Sequence, residues 1–293
     1  MSSNSYCQNL VPNPGFEDTI ACPTNYSEIT NANGWMSFGE SPDYFNSCSS
    51  GIVGIPTNFA GNQPALGNAY AGLYTYDVGG SDYREYIGTQ LSFPLVIGTR
   101  YYLSLLINRG DNLTCSSNNI GFRFFTDVFY STSNPIPTDN FSHFHSSSIV
   151  TDSVNWIKIA GSFIADSTYQ YVVVGNFYNG SSTSSSNCST IDGAYYYVDA
   201  ICVSQDSLTC YVLSEIEIQE HGQMVTLYPN PVSDILNVKN VKKFSQYAIL
   251  NSIGEIVKSG VLNGEQIDVS AYANGIYFLL LERKNSFKFF VNH

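Results

Sequence analysis

Charge is scarce in this chain, and positive charge scarcest of all. Only 12% of the 293 residues are Asp, Glu, Lys or Arg, and the formal net charge is −12. Lys158 is the sole lysine in positions 1–213, where 16 acidic residues stand against 5 basic ones; the remaining positions hold 8 against 7. A surface so poor in cations repels phosphate backbones, which argues against nucleic acid and anionic lipid as partners. Long apolar runs are also missing: none approaches the roughly 18 residues of a membrane span. The opening "MSSNSYCQNL" has neither a basic n-region nor an apolar h-region, so an exported form would have lost its signal peptide from this numbering. Sustained i, i+3, i+4 apolar spacing is absent, and helices should be few and short. No G-x-S-x-G, HExxH, P-loop or G-x-G-x-x-G occurs, and no C-x₂-C pair that would start a zinc site.

What the chain does have is aromatic residues, turns and cysteines. It contains 22 Tyr, 18 Phe and 23 Gly, set in short runs between Gly, Asn, Ser and Pro clusters, the pattern of strands and loops. Expected strands are 69–76, 84–91, 100–108, 120–127, 155–165, 169–178 and 194–203. "NGSSTSSSNCST" (Asn179–Thr190) is of low complexity and reads as a mobile loop tied down at Cys188. Sequence order suggests three disulfides, Cys22–Cys48, Cys115–Cys188 and Cys202–Cys210, with Cys7 left over; Cys7–Cys202 or Cys7–Cys210 is an alternative. Such bridges imply an oxidising compartment outside the cytoplasm.

The aromatic density falls in 204–224, and shorter strands follow. The chain therefore reads as all-β: a jelly-roll sandwich over 7–213, a linker at 214–223, and a small immunoglobulin-like sandwich over 224–293. "LYPNPVSDILNV" begins the second domain, because prolines on both sides of Asn230 suit a turn or edge-strand start and not a helix interior. "NSIG" (Asn251–Gly254) suits a hairpin turn.

Within 224–293, Tyr228-Pro229-Asn230-Pro231, the N-x-x-G turn ending at Gly254, Asn274-Gly275-Ile276-Tyr277, and the final "FKFFVNH" with Lys288 fall in a familiar order. They resemble the type A C-terminal sorting domain of type IX secretion cargo. The resemblance implies recognition by the type IX translocon and an outer-membrane cargo-binding β-barrel, and delivery to the outer cell surface or the medium. A sortase-like peptidase usually removes the domain in that family, and many cargos become attached to surface lipopolysaccharide.

"NLVPNPGFED" (Asn9–Asp18), Trp35 after "NANG" and "YYYVDAICV" (Tyr195–Val203) resemble the ends of calcium-containing jelly-roll carbohydrate-binding modules, which are galactose-binding-like. The resemblance implies that the first and last strands meet at a structural calcium. Glu17 and Asp199 would be its side-chain ligands, helped by carbonyls near Asn13, Gly15 and Gly34, since calcium takes six to eight oxygens. The family's second Asp is Ala200 here.

Sugar recognition uses flat aromatic faces beside bidentate polar groups. "GLYTYDVGGSDYREYIG" supplies the densest set. Alternation places Arg84 with Tyr86 on one face, near Tyr74 or Tyr76, with Asn108 and Asp111 of "NRGDN" at the edge and Asn176 and Tyr178 as further candidates. Trp35 and Trp156 read as core. His143 and His145 read as ordinary surface histidines lacking a third metal ligand, and Arg109-Gly110-Asp111 is too short to argue integrin-type adhesion. The chain thus reads as a secreted, non-catalytic glycan-binding protein with a sorting tail. A surface adhesin or gliding/biofilm component recognising protein, and a polysaccharide hydrolase using Glu85 with Asp111, stand as alternatives.

Overall fold

The computed structural model describes residues 8–39, 41–79, 82–128, 138–189, 193–212, 226–239, 246–251, 255–262, 266–281 and 285–293. Cys7, Gly254 and the linker at 214–223 lie outside the described residues. The chain divides into two compact units, Met1–Ser214 and Glu215–His293.

The first unit is a β-sandwich. In chain order its strands are β1 (Trp35–Ser37), β2 (Asp43–Asn46), β3 (Thr57–Asn58), β4 (Gly61–Asn62), β5 (Ala69–Asp77), β6 (Ile87–Gln90), β7 (Arg100–Arg109) and β8 (Ser116–Ser117). They are followed by β9 (Ile120–Phe125), β10 (Phe144–His145), β11 (Ile157–Ile164), β12 (Tyr171–Asn176), β13 (Ser185–Ser186) and β14 (Gly193–Ser204). One sheet runs β1-β6-β12-β9-β10 and the other β11-β7-β14-β5-β2. Alternation decides which side chains meet between them. Ile120, Phe122 and Phe124 of β9 and Val172 and Val174 of β12 point into the central core, where they pack with Leu103, Leu105, Ile107, Tyr196 and Val198 of the facing sheet.

β14 is buried along all 12 of its residues. Its other face carries Tyr195 and Tyr197, which join Phe45, Tyr70, Leu106 and Trp156 in a second apolar cluster roofed by Ile55, Phe59, Ala65 and Leu66. Buried tyrosine hydroxyls need partners, and each of the three has one. Tyr195 donates to Asp43 at 2.6 Å, Tyr196 to the Val150 carbonyl at 2.7 Å and Tyr197 to Asn58 at 2.6 Å. Trp35 and Trp156 are core residues.

The first described segment runs along β14, the last strand of the first unit. The Leu10 amide donates to the Val203 carbonyl at 2.7 Å, Asn9 Nδ2 to Ile201 O at 2.9 Å, and the Ile201 amide to Pro14 O at 2.9 Å. The disulfides join Cys22 to Cys48, Cys115 to Cys188, and Cys202 to Cys210 of the short helix α1 (Ser207–Val212).

Two local expectations are corrected. The strand expected over 84–91 forms only at 87–90. Before it, single backbone bonds (Glu85 amide to Tyr74 O, Phe38 amide to Tyr86 O) and the side chains of Arg84 and Tyr86 hold the chain, and Arg84, Glu85 and Tyr86 are all buried. The 179–190 loop is anchored at more places than Cys188. β13 pairs with β8, Ser184 and Asn118 exchange hydrogen bonds, and the Gly180 amide donates to Asp82 at 2.6 Å.

The second unit sets β15 (Thr226–Tyr228), β16 (Ile235–Lys239) and β19 (Gln266–Asp268) in one sheet. The other runs β18 (Ile256–Val261), β17 (Gln246–Asn251), β20 (Gly275–Leu281) and β21 (Asn285–Val291). Val232, Leu236, Val238, Ile249, Leu279, Leu281 and Phe289 fill the space between. Prolines 229 and 231 can donate nothing to a ladder, and the Asn230 side chain does that work instead. Its Oδ1 accepts from the Phe290 amide at 2.8 Å and its Nδ2 donates to Lys288 O at 3.4 Å, while the Val232 amide donates to Phe290 O at 2.8 Å. Tyr277 stacks on Phe289, and Asn274 Oδ1 accepts from the His293 amide. Asn230→Ala should therefore cost this unit about 1 kcal/mol, read as an earlier calorimetric transition with that of the larger unit unmoved.

Candidate functional site

Two sheet faces remain outside the central core, and they differ in what covers them. The outer face of β11-β7-β14-β5-β2 is closed by the apolar roof described above. The outer face of β1-β6-β12-β9-β10 is paved with aromatic side chains and left half open.

Register builds this second face row by row. Met36 faces Gly88, Gly88 faces Val173, and Val173 faces Arg123; in the next outward row Gln90 faces Tyr171 and Tyr171 faces Phe125. On the other side Gly175 faces Gly121, which faces His145. Three of these positions are glycine, and rings fill two of the hollows. A Cβ on Gly88 would lie 2.3 Å from the Phe38 ring, and one on Gly175 would lie 2.5 Å from the Tyr86 ring. Phe38, Tyr86, Val173 and Phe177 form the buried floor, with Met36, Phe125, Tyr171 and Tyr178 partly buried around them. Phe141 is 48% exposed at the rim.

Arg123 crosses the middle. Its guanidinium lies 5.1 Å from the Phe125 ring, 5.5 Å from Phe141 and 5.8 Å from Phe177, within the range of cation–π attraction. It pairs with both oxygens of Asp139, which its hydrogen bonds hold below the usual carboxylate range. Beside His145 the face meets an open groove of about 650 Å³ between residues 144–152 and 157–160, with Ser146, Ser148, Thr151 and Asp152 among its walls. That volume suits a small ligand.

The sequence candidates fall mostly elsewhere, and burial is the reason. Arg84 is fully buried, donating from Nε to Tyr178 O at 2.9 Å and from Nη1 to Tyr83 O at 3.0 Å, with its guanidinium over the Tyr76 ring. Tyr86 is buried with its hydroxyl on Asn176 O, and Asn176 is buried donating to Thr75 O and Thr183. Asn108 is buried donating to Asn155 O. Tyr74 packs in the roofed cluster against Tyr195 and Tyr83. These residues form interior structure, so the sugar contacts assigned to Arg84, Tyr86, Asn108 and Asn176 are corrected to scaffold roles. Asp111 is exposed but spent on the Asn62 amide. Of the set, Tyr86 lies in the buried floor of the open face and Tyr178 stands at its edge, with its hydroxyl 3.1 Å from His145 Nδ1.

The histidines are half-buried rather than on the surface. His143 Nδ1 accepts from the Phe124 amide, and Nε2 lies 2.9 Å from the Tyr169 hydroxyl, which donates to Asp166. Both ring nitrogens are therefore engaged in a neutral ring, and burial pushes its pKa down to about 4. Among the described residues no cluster of three or more His, Cys, Asp or Glu could hold a metal.

Glu17 and Asp199 do come together. A Cβ at Gly15 would lie 3.5 Å from Asp199 Oδ1 and 3.7 Å from Glu17 Cγ. Asp199 is 2% exposed, and Oδ1 accepts from the Ala200 amide while Oδ2 has no partner. Burial above all, with Glu17 adding repulsion, raises its pKa far above the ordinary value. Glu17 accepts from the Asn68 amide at 2.8 Å. Phe16 (φ 60°) and Ala200 (φ 49°), next to the two carboxylates, sit in the left-handed region disfavoured for side-chain-bearing residues. The Asn13 carbonyl already accepts from Trp35 Nε1 at 2.7 Å, and that of Gly34 from Thr89 Oγ1 at 2.8 Å.

Residues 226–291 match the family of secretion system C-terminal sorting domains, Por_Secre_tail. Such a tail marks the chain for export by type IX secretion to the cell surface or extracellular space, and implies recognition by that machinery. No described helix is long and apolar enough to cross a membrane. Similar solved structures include PorZ, an essential surface component of the type-IX secretion system of Porphyromonas gingivalis. That match has 19% identity and a TM-score of 0.21, over 24% of this chain and 11% of that one, so it spans about a tenth of PorZ. TmCBM61, solved with β-1,4-galactotriose, matches at 11% identity and TM-score 0.33 over 68% of this chain and 99% of that one. The C-terminal family 22 carbohydrate-binding module of Clostridium thermocellum Xyn10B matches at 11% identity and TM-score 0.35 over 70% and 96%. No curated protein matches the chain in sequence.

Glu85, buried to 2% exposure, accepts from the Tyr74 amide, Ser41 and Tyr83. Burial lifts its pKa to about 7. A carboxyl with a raised folded pKa stabilises below its ordinary value and loses that contribution as pH climbs through 7. Glu85→Gln should thus melt close to wild type at pH 5 and roughly 5 °C higher at pH 8; an equal offset at both pH values would contradict the assignment.

Proposed function

We propose that the first unit is a non-catalytic glycan-binding module, displayed by the sorting tail and recognised during export by the translocon with an outer-membrane β-barrel. The observation that carries the binding reading is the half-open aromatic face around Arg123. Sugar rings present apolar C–H faces and hydroxyl edges. Phe125, Tyr171 and Tyr178 supply flat surfaces for the first, while Arg123, Asp139, Ser142 and His145 supply donors and acceptors for the second. The only carboxyl pair the sequence suggested for hydrolysis is Glu85 with Asp111. Glu85 is buried under Tyr83 and Ser41, and Asp111 is held at Asn62, so they do not line one open cleft.

Calcium fits the Glu17–Asp199 site. An unpartnered buried carboxylate oxygen beside a second carboxylate is stable when a cation neutralises both. Glu17, Asp199 and the Gly15 carbonyl would hold the ion. Asn13 and Gly34, whose carbonyls are partly engaged, shape the loop: Asn13 Nδ2 donates to Asp18 O and Asn33 O. The ion would supply charge balance and lock the first described segment to β14, with no chemical step.

Two measurements test these readings. On affinity gels or a glycan array, Tyr171→Ala should weaken binding roughly tenfold, about 1.4 kcal/mol, with melting unchanged; wild-type protein that binds no glycan would end the reading. Calcium at a hundredfold excess over Kd should raise stability by about 2.7 kcal/mol, and Asp199→Asn should abolish the increment. Identical melting of wild type in calcium and in chelator would remove the site.

A further inference from the structure

Among the described residues that build the aromatic face Arg123 is the one cation that reaches solvent, Arg84 being fully buried behind Tyr178, and its fork is already filled. Nη2 meets Asp139 Oδ2 at 2.7 Å, Nη1 meets Oδ1, and Nη1 also donates to Phe141 O at 3.3 Å. This two-point pairing is the geometry a carboxylate of a sugar acid would need, because guanidinium and carboxylate match edge to edge. Asp139 takes that place from within the chain. Its side chain is 56% exposed against 21% for Arg123, so the carboxylate stands at the surface and Arg123 lies beneath it on the rings.

We propose that Asp139 is a specificity residue that makes the face select uncharged glycans and reject those bearing uronic acids. The proposal rests on the glycan-binding reading and names the ligand class for the same face. A uronate would have to evict Asp139 from Arg123 and leave two carboxylates competing for one guanidinium. It would do so on a unit where 16 acidic residues face 5 basic ones over positions 1–213, a field that repels anions throughout. A neutral sugar meets no such opposition. Its hydroxyls donate to Asp139 and accept from the remaining N–H groups of Arg123, while its ring lies on Phe125 or Tyr171. The salt bridge then acts as a fixed polar edge beside an apolar floor, with its charges cancelled.

The test uses the full chain on affinity gels carrying xylan, galactan or β-glucan, and on gels carrying polygalacturonate or alginate. Wild type should be retarded by at least one neutral polymer and by neither polyuronate. Asp139→Asn removes the internal competitor and should gain at least tenfold on a polyuronate, and the double variant Arg123→Gln/Asp139→Asn should lose that gain. Thermal melting confirms each fold, and Asp139→Ser replaces Asp139→Asn should the latter melt early. Neutral binding by wild type with no polyuronate gain in either Asp139 variant overturns the specificity role and leaves the glycan reading standing. Wild-type retardation by polyuronate at matching strength does the same. Retardation by no polymer at all brings down both.

Discussion

The strand that everything in the first unit answers to is β14, whose 12 residues are all withdrawn from water. A strand buried on both faces forces its sheet to be covered twice. One cover is the second sheet, through the central core. The other is the long excursion through residues 47–68, whose Ile55, Phe59, Ala65 and Leu66 lie over Tyr195, Tyr197, Tyr70 and Phe45. Tyrosine is a costly residue to bury unless its hydroxyl is satisfied, and Asp43 and Asn58 are placed to receive Tyr195 and Tyr197. Once that side is roofed, the sheet face left for a ligand is the outer side of β1-β6-β12-β9-β10. The location of the candidate site thus follows from how the core is closed.

The same strand sets the second candidate centre. At Asp199 the ladder between β14 and β7 shifts register, and the chain passes through Ala200 with positive φ. A bulge of this kind re-aims one side chain; here it turns a carboxylate into the interior toward Gly15 and Glu17. The burial of Asp199 is not offset by a partner for Oδ2. A cation would offset it, and would tie the first described segment to β14 at the point where their hydrogen bonds run from Asn9 to Pro14.

Much of this was legible in the sequence, and the exceptions are instructive. Strand positions and the Tyr-Pro-Asn-Pro start of the tail depend on local spacing, which the chain states directly. Sequence order suggests the three cysteine pairs but leaves Cys7 with Cys202 or Cys210 as an alternative, because pairs 26 and 73 residues apart depend on the fold. The ligand face does not. Arg84 and Tyr86 looked like surface alternation because 84–91 was read as one strand. The ladder begins only at Ile87, and the preceding residues turn inward to satisfy Tyr178 O and Asn176 O. Conversely, Arg123 and Phe125 alternate with Phe122 and Phe124 inside "GFRFF", a run aromatic on both faces, so hydropathy could not say which face met water. The signal available was the glycines. Gly88, Gly121 and Gly175 each sit on the outward side of a central strand. At Gly88 and Gly175 the missing side chains mark where the rings of Phe38 and Tyr86 come to lie, and at Gly121 the close approach of the neighbouring strand at Phe144 and His145.

The sorting tail solves a different problem with similar means. Two prolines at 229 and 231 deny the chain the donors it would need to pair with the last strand, yet that strand must be held if the unit is to present a defined end. Asn230 substitutes its amide for the missing backbone groups, reaching Phe290 N and Lys288 O, and Val232 resumes the main-chain contact two residues on. The start of the recognised region is therefore clasped to its finish. On this argument the Tyr-Pro-Asn-Pro motif keeps the final strand in register, which separates a folding duty for Asn230 from any direct contact that Tyr228, 39% exposed, makes with the export machinery.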